Sequence, residues 1–306
     1  MKKTHIFQKI LGFVFSTVIV LAFSFSSLAG PTSKLKVYIS ADMEGICGVV
    51  HANQTSPDSP EYAAARRWMA DDVNAAIEGA LQAGAAEIVV NDAHGSQRNI
   101  NPAELNPRAV LISGSPKPFG MMEGIDSSYN AVIFIGYHAR AGTQDAILDH
   151  TISGGVVRAV RINEAELPEL GINAALAGAY GVPVVLISGD VAVCRQAKEI
   201  LGKEIVTVPV KDAIGRTAAR LVPMAEARSA IKSRVAEALK KLAQFKPYRR
   251  DSPFLFELEF LNSAQADMAA MIPAVKRLNP RSVSFTTDNY SQGYQLLRAL
   301  IEIAAR

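Results

Sequence analysis

The chain has 306 residues and a formal net charge of +3, set by 32 basic and 29 acidic side chains. Residues 1–29 contain three lysines and no acidic residue, so the formal charge of the remaining chain falls to 0. A neutral chain has no electrostatic preference for nucleic acid or an anionic membrane, and we expect neither as a partner.

The N-terminus has the three parts of a secretory signal. A lysine-containing start is followed by an apolar segment over residues 11–25, and Ser27-Leu28-Ala29 is a small-x-small cleavage site. An uncleaved membrane anchor is the alternative, but the apolar segment is shorter than a full span. We therefore predict that residues 1–29 are a signal peptide. The mature protein would begin at Gly30, be periplasmic or secreted, and have no stable membrane association.

The sequence contains two cysteines, Cys47 and Cys194. A disulfide is chemically permitted in an oxidising compartment. Two cysteines at this separation do not make a disulfide framework, however, and we expect free thiols.

A short apolar segment ends in two acidic residues. Residues 36–41 have the β-branched and aromatic composition of a buried strand, and Asp42 and Glu44 follow them. Residues i and i+2 of an extended chain point to the same side, so the two carboxylates can converge on one point. This D-x-E pair is either half of a metal site or a helix-capping, solvent-facing turn, and the pair alone leaves both open.

Apolar segments alternate with helical patterns over the next part of the chain. Apolar residues recur every four positions from Met69 to Leu81 and predict a helix that ends at Gly84. An Ala-rich helix is predicted between Glu169 and Gly181. Strands are predicted over residues 87–95, 109–114, 131–138, 156–162 and 184–190. This alternation predicts an α/β fold with a mostly parallel sheet and helices on both faces.

The last third of the chain changes character. Apolar residues from Ile231 to Leu242 form the stripe of an amphipathic helix. Strands are predicted over residues 254–260 and 282–287, and a terminal helix over residues 290–305. We therefore predict an α/β metal-binding catalytic domain over residues 30–222 and a smaller C-terminal α+β subdomain over residues 223–306.

Two of the four histidines of the mature chain end predicted strands. His94 and His138 lie on the sheet edge that would also present the D-x-E pair. Neutral imidazoles and carboxylates are ligands of Zn²⁺ and its first-row neighbours, whereas a lone histidine at a strand end is usually structural. Asn91 and Asp92 either orient the imidazole of His94 or cap a turn, and the sequence leaves both open.

Several short motifs resemble zinc D-aminopeptidases of the DppA type, a family of dinuclear metallopeptidases. They occur in the family's order from about residue 36 to the C-terminus. The motifs are residues 40–45 (SADMEG), 91–94 (NDAH), 112–114 (ISG), 117–119 (KPF), 123–126 (EGID), 136–140 (GYHAR), 169–173 (ELGIN), 259–260 (EF) and 265–266 (QA).

The resemblance implies a cofactor of two Zn²⁺ ions per subunit. Asp42 would bridge the ions, and Glu44 and His94 would bind one of them. His138 and Glu169 would bind the other. Spacing alone does not identify Glu169, because a carboxylate at a helix start is ordinarily a cap.

By the same resemblance, His150 is the catalytic residue, acting as a proton shuttle or as a nucleophile. The expected function is an exported metal-dependent aminopeptidase that hydrolyses short peptides with N-terminal D-amino acids, of the D-Ala-D-Ala type. The family also implies a homo-oligomer, typically a decameric ring. Two alternatives stay open: a dinuclear metal amidase or esterase for another small substrate, and a non-catalytic periplasmic metal-binding protein.

Overall fold

The computed structural model describes residues 34–306, and Lys34–Arg306 forms one compact unit. The predicted signal peptide lies outside the described residues. The helices are α1 Tyr62–Gln82, α2 Glu169–Ala179, α3 Val191–Leu201, α4 Met224–Lys240, α5 Ser263–Ala269 and α6 Tyr290–Ala304. The strands are β1 Lys36–Ala41, β2 Glu87–Asp92, β3 Val110–Ile112, β4 Ala131–Tyr137, β5 Val157–Ile162, β6 Ala165–Glu166, β7 Val184–Asp190, β8 Val206–Gly215, β9 Ala218–Leu221, β10 Phe254–Phe260, β11 Lys276–Asn279 and β12 Ser282–Thr287.

The larger sheet has the strand order β3-β2-β1-β4-β7-β8-β9. Its strand pairs are parallel except β8 and β9, which form an antiparallel hairpin. Alternate residues of β1 belong to the cores on opposite faces: Val37 and Ile39 to the core that includes α1 and α4, and Tyr38 to the core that includes α2 and α3. The prediction of a mostly parallel sheet with helices on both faces is confirmed.

The smaller sheet is antiparallel, with the order β11-β12-β10-β5-β6. Its strands β10 and β12 and the helix α6 occur where the sequence predicts them. The strands β5 and β6 come from before residue 222, whereas α4, after residue 222, packs against α1 and β8 of the larger sheet. The division of the chain at residue 222 stays a prediction.

Sequence patterns do not predict α3, β8 and β9. In β8, Pro209 and Lys211 interrupt the apolar pattern that would mark a strand. Pairing with β7 and β9 forms this strand in spite of its local sequence.

Within residues 34–306 no helix has the length and apolarity needed to cross a membrane. Cys47 and Cys194 are both buried and free, as the sequence predicts.

The strand order fixes where a site can form. The strand β1 lies between β2 and β4. The strands β2 and β3 lie on one side of β1, and β4 and β7 lie on the other side. In open parallel sheets, ligands bind beyond the carboxyl ends of the strands at such a switch point. The carboxyl ends of β1, β2 and β4 are where the sequence places acidic residues and histidines.

Candidate metal centre

The structure brings the five predicted metal ligands together at the switch point. Asp42 and Glu44 follow β1, His94 follows β2, His138 follows β4, and Glu169 is the first residue of α2. The three carboxylates are 3–5% exposed, so each is almost fully removed from water.

The backbone turn after β1 lies directly against β4. The amide of Gly45 donates to the carbonyl of Gly136 at 2.8 Å. A Cβ on residue 45 would stand 2.0 Å from the carbonyl oxygen of Tyr137, so only glycine permits this approach. This close approach holds Asp42 and Glu44 beside β4, the strand that His138 follows.

A buried lysine that no sequence motif identifies supports the same turn. Lys211, on β8, is 1% exposed, and its ammonium donates to the carbonyls of Glu44, Ile46 and Val49. Burial lowers its pKa to about 8. The contact joins residues 162 to 167 positions apart, and nothing in the sequence around Lys211 indicates it.

The His94 imidazole faces the D-x-E pair through one defined nitrogen. Its Nε2 lies 3.0 Å from the carbonyl of Thr55, which can only accept a hydrogen bond, so Nε2 carries the proton. Its Nδ1 lies 3.0 Å from Oε2 of Glu44 and 3.4 Å from Oδ1 of Asp42. In the neutral ring the Nδ1 lone pair therefore points at two carboxylates, an arrangement that a cation between them would stabilise.

His138 repeats this arrangement with the opposite nitrogen. Its Nδ1 lies 3.0 Å from the carbonyl of Ala139, and its Nε2 lies 3.4 Å from Oδ2 of Asp42 and 3.3 Å from Oε1 of Glu169. Asp42 thus presents one oxygen to each histidine, as a bridging ligand would.

Two buried atoms in this cluster have no hydrogen-bond partner, namely Oδ2 of Asp42 and Nε2 of His138. Buried polar atoms are rarely left unpaired, and a metal ligand is one of the recognised reasons. The donor set of carboxylates and imidazoles, with these two orphaned atoms facing each other, fits zinc.

Four of the five predicted ligands, together with His150, form two overlapping groups, and His94 belongs to neither. Within each group, one ligand atom per residue lies within 4.8 Å of the others. The groups are Asp42, Glu44 and His138, and His138, His150 and Glu169. His150, which the resemblance sets outside the ligand set, is therefore close enough to bind metal. The division of roles among these residues stays a prediction.

Burial and mutual electrostatic interactions shift the pKa values of the groups in this cluster. Burial, reinforced by the charge of Glu44, raises the pKa of Asp42 to about 7. Burial opposes the charged form of His138, but the nearby carboxylate of Glu169 outweighs it and raises the pKa of His138 to about 10. The pKa of His94 is raised well above its usual value because Glu44 outweighs the same effect of burial. Metal binding would displace protons from these groups, so its affinity should increase with pH.

His150 stacks on His138, with ring centroids 4.0 Å apart and an interplanar angle of 10°. Its Nδ1 lies 2.8 Å from the carbonyl of Leu148, so Nε2 is the free nitrogen and lies 3.7 Å from Oε1 of Glu169. Burial and the neighbouring charge of His138 lower the pKa of His150.

The segment that carries His150 is irregular and tightly held. Asp145, Leu148 and Ile152 have positive φ angles of 51°, 49° and 62°, which are uncommon for residues other than glycine. The amide of Ile152 donates to Oε1 of Glu169 at 2.6 Å. This segment, residues 145–152, is therefore fixed directly to a predicted ligand.

The β8–β9 hairpin covers the same segment. The carbonyl of Arg216, at the hairpin turn, accepts from the amide of Leu148 at 2.9 Å. Its guanidinium lies 3.0 Å from the carboxylate of Asp149. The hairpin turn thus contacts Leu148 and Asp149, the two residues that precede His150, and it orients the segment from outside.

The two polar residues at the end of β2 cap the following loop. Asp92 accepts from the amides of Asn99 and Ile100 at 2.5 and 2.7 Å. Asn91 accepts from the ammonium of Lys117 at 2.6 Å and donates to a backbone carbonyl. Neither touches the His94 imidazole, so the turn-capping alternative is the one the structure supports.

Replacing Arg216 by glutamine should loosen residues 145–152. An exposed ion pair contributes about 0.2–1 kcal/mol, so amide hydrogen exchange in this segment should accelerate by up to about fivefold. Arg220→Gln, on the exposed face of the adjacent strand β9, is the matched control and should leave the exchange unchanged. Equal exchange in the Arg216 variant and the wild type would show that the ion pair does not orient the segment.

The chain is similar to known D-aminopeptidases over most of its length. Residues 35–299 match the sequence profile of peptidase family M55, described as D-aminopeptidase. A D-aminopeptidase of Bacillus subtilis (strain 168) is 34% identical over 273 residues, which is 89% of this chain and 98% of the relative.

A solved structure has the same fold. It is described as the Zn-dependent D-aminopeptidase DppA from Bacillus subtilis, a self-compartmentalizing protease. It superposes with a TM-score of 0.86 at 33% identity, covering 89% of this chain and 98% of that chain. The fold, the enzyme class and the zinc dependence predicted from the sequence are those of this relative. The resemblance drawn from the motifs is confirmed, and the chain belongs to the D-aminopeptidase family of metallopeptidases.

Proposed function

We propose that this protein is an exported zinc-dependent aminopeptidase that removes D-amino acids from the N-termini of short peptides. The observation that carries the proposal is the orientation of the three imidazoles. His94, His138 and His150 each pair one ring nitrogen with a backbone carbonyl and turn the other toward buried carboxylates. In a chain of the D-aminopeptidase family, this orientation serves metal binding and proton transfer.

Five residues would hold the metal: Asp42, Glu44, His94, His138 and Glu169. Bound zinc would supply Lewis-acid activation of water and of the scissile carbonyl at neutral pH. The surrounding protein keeps the carboxylates dry and sets the tautomers of the imidazoles, so the ligand atoms need no rearrangement when the ion binds.

His150 is the catalytic residue in this proposal. Its proton stays on Nδ1, at the Leu148 carbonyl, so Nε2 is free to accept a proton and return it to the leaving amine. The same nitrogen is the one that would attack the substrate if His150 were a nucleophile. Both roles require the tautomer that the Leu148 carbonyl selects.

The size of the adjacent cavity supports short substrates. The cavity measures about 220 Å³, and its lining includes Asp42, His94, His150 and Glu169. Pockets for drug-sized ligands measure about 300–1,000 Å³, so this cavity fits a ligand of dipeptide size. The preference for the D-configuration follows from family membership.

A substrate panel tests the function. The zinc-loaded protein should hydrolyse D-Ala-D-Ala and leave L-Ala-L-Ala largely intact, as followed by release of free alanine. Faster turnover of simple esters or other amides would favour a dinuclear amidase or esterase. A protein that binds zinc and turns over none of these compounds would be a metal-binding protein.

Two variants separate metal binding from catalysis. Asp42→Ala should lose both ions, because one carboxylate faces both histidines, and elemental analysis after dialysis should report this loss. His150→Ala should retain two ions per subunit while turnover falls about 100-fold or more, the contribution of a missing general acid–base group. Loss of one ion in the His150 variant would identify it as a ligand. Wild-type turnover would remove its catalytic role.

Export is supported by the basic, apolar and small-x-small segments of residues 1–29. Sequencing of the mature protein from the periplasm or medium should begin at Gly30. Recovery of the uncleaved chain from the cytoplasm would contradict export.

Assembly as a homo-oligomeric ring is supported by the solved relative, which is described as self-compartmentalizing. Sedimentation of the purified protein should give the mass of a large oligomer, by resemblance a decamer. A monomer at all concentrations would contradict the ring.

A further inference from the structure

The cavity beside the metal centre is closed in part by the C-terminal helix α6. Arg298, Ile301 and Glu302 of α6 line it, together with Gln97, which follows β2. A metal centre with three carboxylates does not require a guanidinium nearby. An arginine on the wall of a small cavity therefore indicates that an anionic group of the ligand is recognised there.

Arg298 is held in place by the backbone beneath it. A Cβ on Gly120 would lie 1.5 Å from Nη1 of Arg298, so the guanidinium rests directly on this glycine. The carbonyl of Gly120 accepts from the amide side chain of Asn91 at 2.9 Å, which ties it to the end of β2, three residues before His94. The position of Arg298 relative to the ligands is therefore set by the larger sheet.

The charge of Arg298 is only weakly compensated within the described residues. Its side chain is 16% exposed, and Nη2 lies 3.5 Å from a carboxylate oxygen of Glu302. The Glu302 side chain is 72% exposed, and such exposed pairs contribute little. A substrate carboxylate in the cavity would replace this pair with two parallel hydrogen bonds.

Gln97 lines the same cavity and carries an unpaired acceptor. The residue is 4% exposed, and its Oε1 is buried without a hydrogen-bond partner. Its φ of 58° is uncommon for a residue other than glycine, and backbone strain of this kind concentrates at ligand sites. A ligand N–H that reaches Oε1 would satisfy this acceptor and recover the cost of leaving it unpaired.

We propose that Arg298 binds the free terminal carboxylate of a dipeptide substrate and that Gln97 accepts a hydrogen bond from a substrate N–H. This inference rests on the proposed peptidase function and narrows its substrate class to short peptides with an unblocked C-terminus. Ile301 and the other apolar side chains of the cavity contact the small side chains of such a substrate. A blocked peptide binds more weakly because its neutral amide offers the Arg298 guanidinium a single acceptor oxygen and no compensating charge.

The test compares D-Ala-D-Ala with D-Ala-D-Ala carrying a C-terminal amide. For the zinc-loaded wild type, kcat/KM should favour the free acid by about 10- to 150-fold, the range of a hydrogen bond to a charged group. In Arg298→Gln this ratio should fall to near 1. Arg298→Lys, which keeps the charge but lacks the planar fork, should give an intermediate ratio.

Gln97→Leu separates the two contacts. This variant should weaken kcat/KM for both substrates and retain the ratio between them, because the N–H is present in both. Arg234→Gln removes an exposed arginine from α4 and is the matched control, for which rates and ratio should equal those of the wild type. Zinc content and circular dichroism verify that each variant is folded and loaded.

Calorimetric binding provides a readout that does not depend on turnover. Both ligands are titrated into zinc-loaded His150→Ala, with and without Arg298→Gln. Tighter binding of the free acid, lost with Arg298→Gln, supports the proposal even if the protein hydrolyses neither compound, an outcome that would contradict only the proposed function. Equal affinity for acid and amide, or a preference that survives in Arg298→Gln and Arg298→Lys alike, overturns the carboxylate site.

Discussion

Three carboxylates that share a nearly dry space impose the main constraint on this structure. Asp42, Glu44 and Glu169 are each at most 5% exposed, and buried charges are costly unless they are paired. The fold meets this constraint with imidazoles from neighbouring strand ends, His94 for the first two carboxylates and His138 for the third. The backbone carbonyls that fix the imidazole tautomers are as necessary as the ligands, because they decide which nitrogen faces the carboxylates.

The parts of the site that lie at strand ends could be predicted from the sequence. Asp42, Glu44, His94 and His138 each follow a short apolar strand, and parallel strands place their carboxyl ends at one edge of a sheet. Glu169 and His150 had no such signal. The first begins a helix and the second lies in an irregular segment, so only the resemblance to the family identified them.

The supporting residues could not be predicted, since each acts across a long separation in sequence. Lys211 is a charged residue within an unrecognised strand, and its role depends on carbonyls more than 160 positions earlier. In the sequence, Arg298 is an ordinary polar residue of a helix, and Gln97 is an ordinary polar residue of a loop. Only the tertiary structure, in which α6 forms part of the cavity wall, brings both residues to the same cavity.

The strand β8 and its hairpin contact both halves of the centre. Lys211 holds the turn that carries Asp42 and Glu44, and Arg216, five residues later, holds the segment that carries His150. Because β8 is hydrogen-bonded to β7, Lys211 and Arg216 are carried by one continuous strand and its turn. Any molecule that bends the hairpin would therefore displace the predicted metal ligands Asp42 and Glu44 and the imidazole of His150 together. Metal affinity and turnover would then rise and fall together.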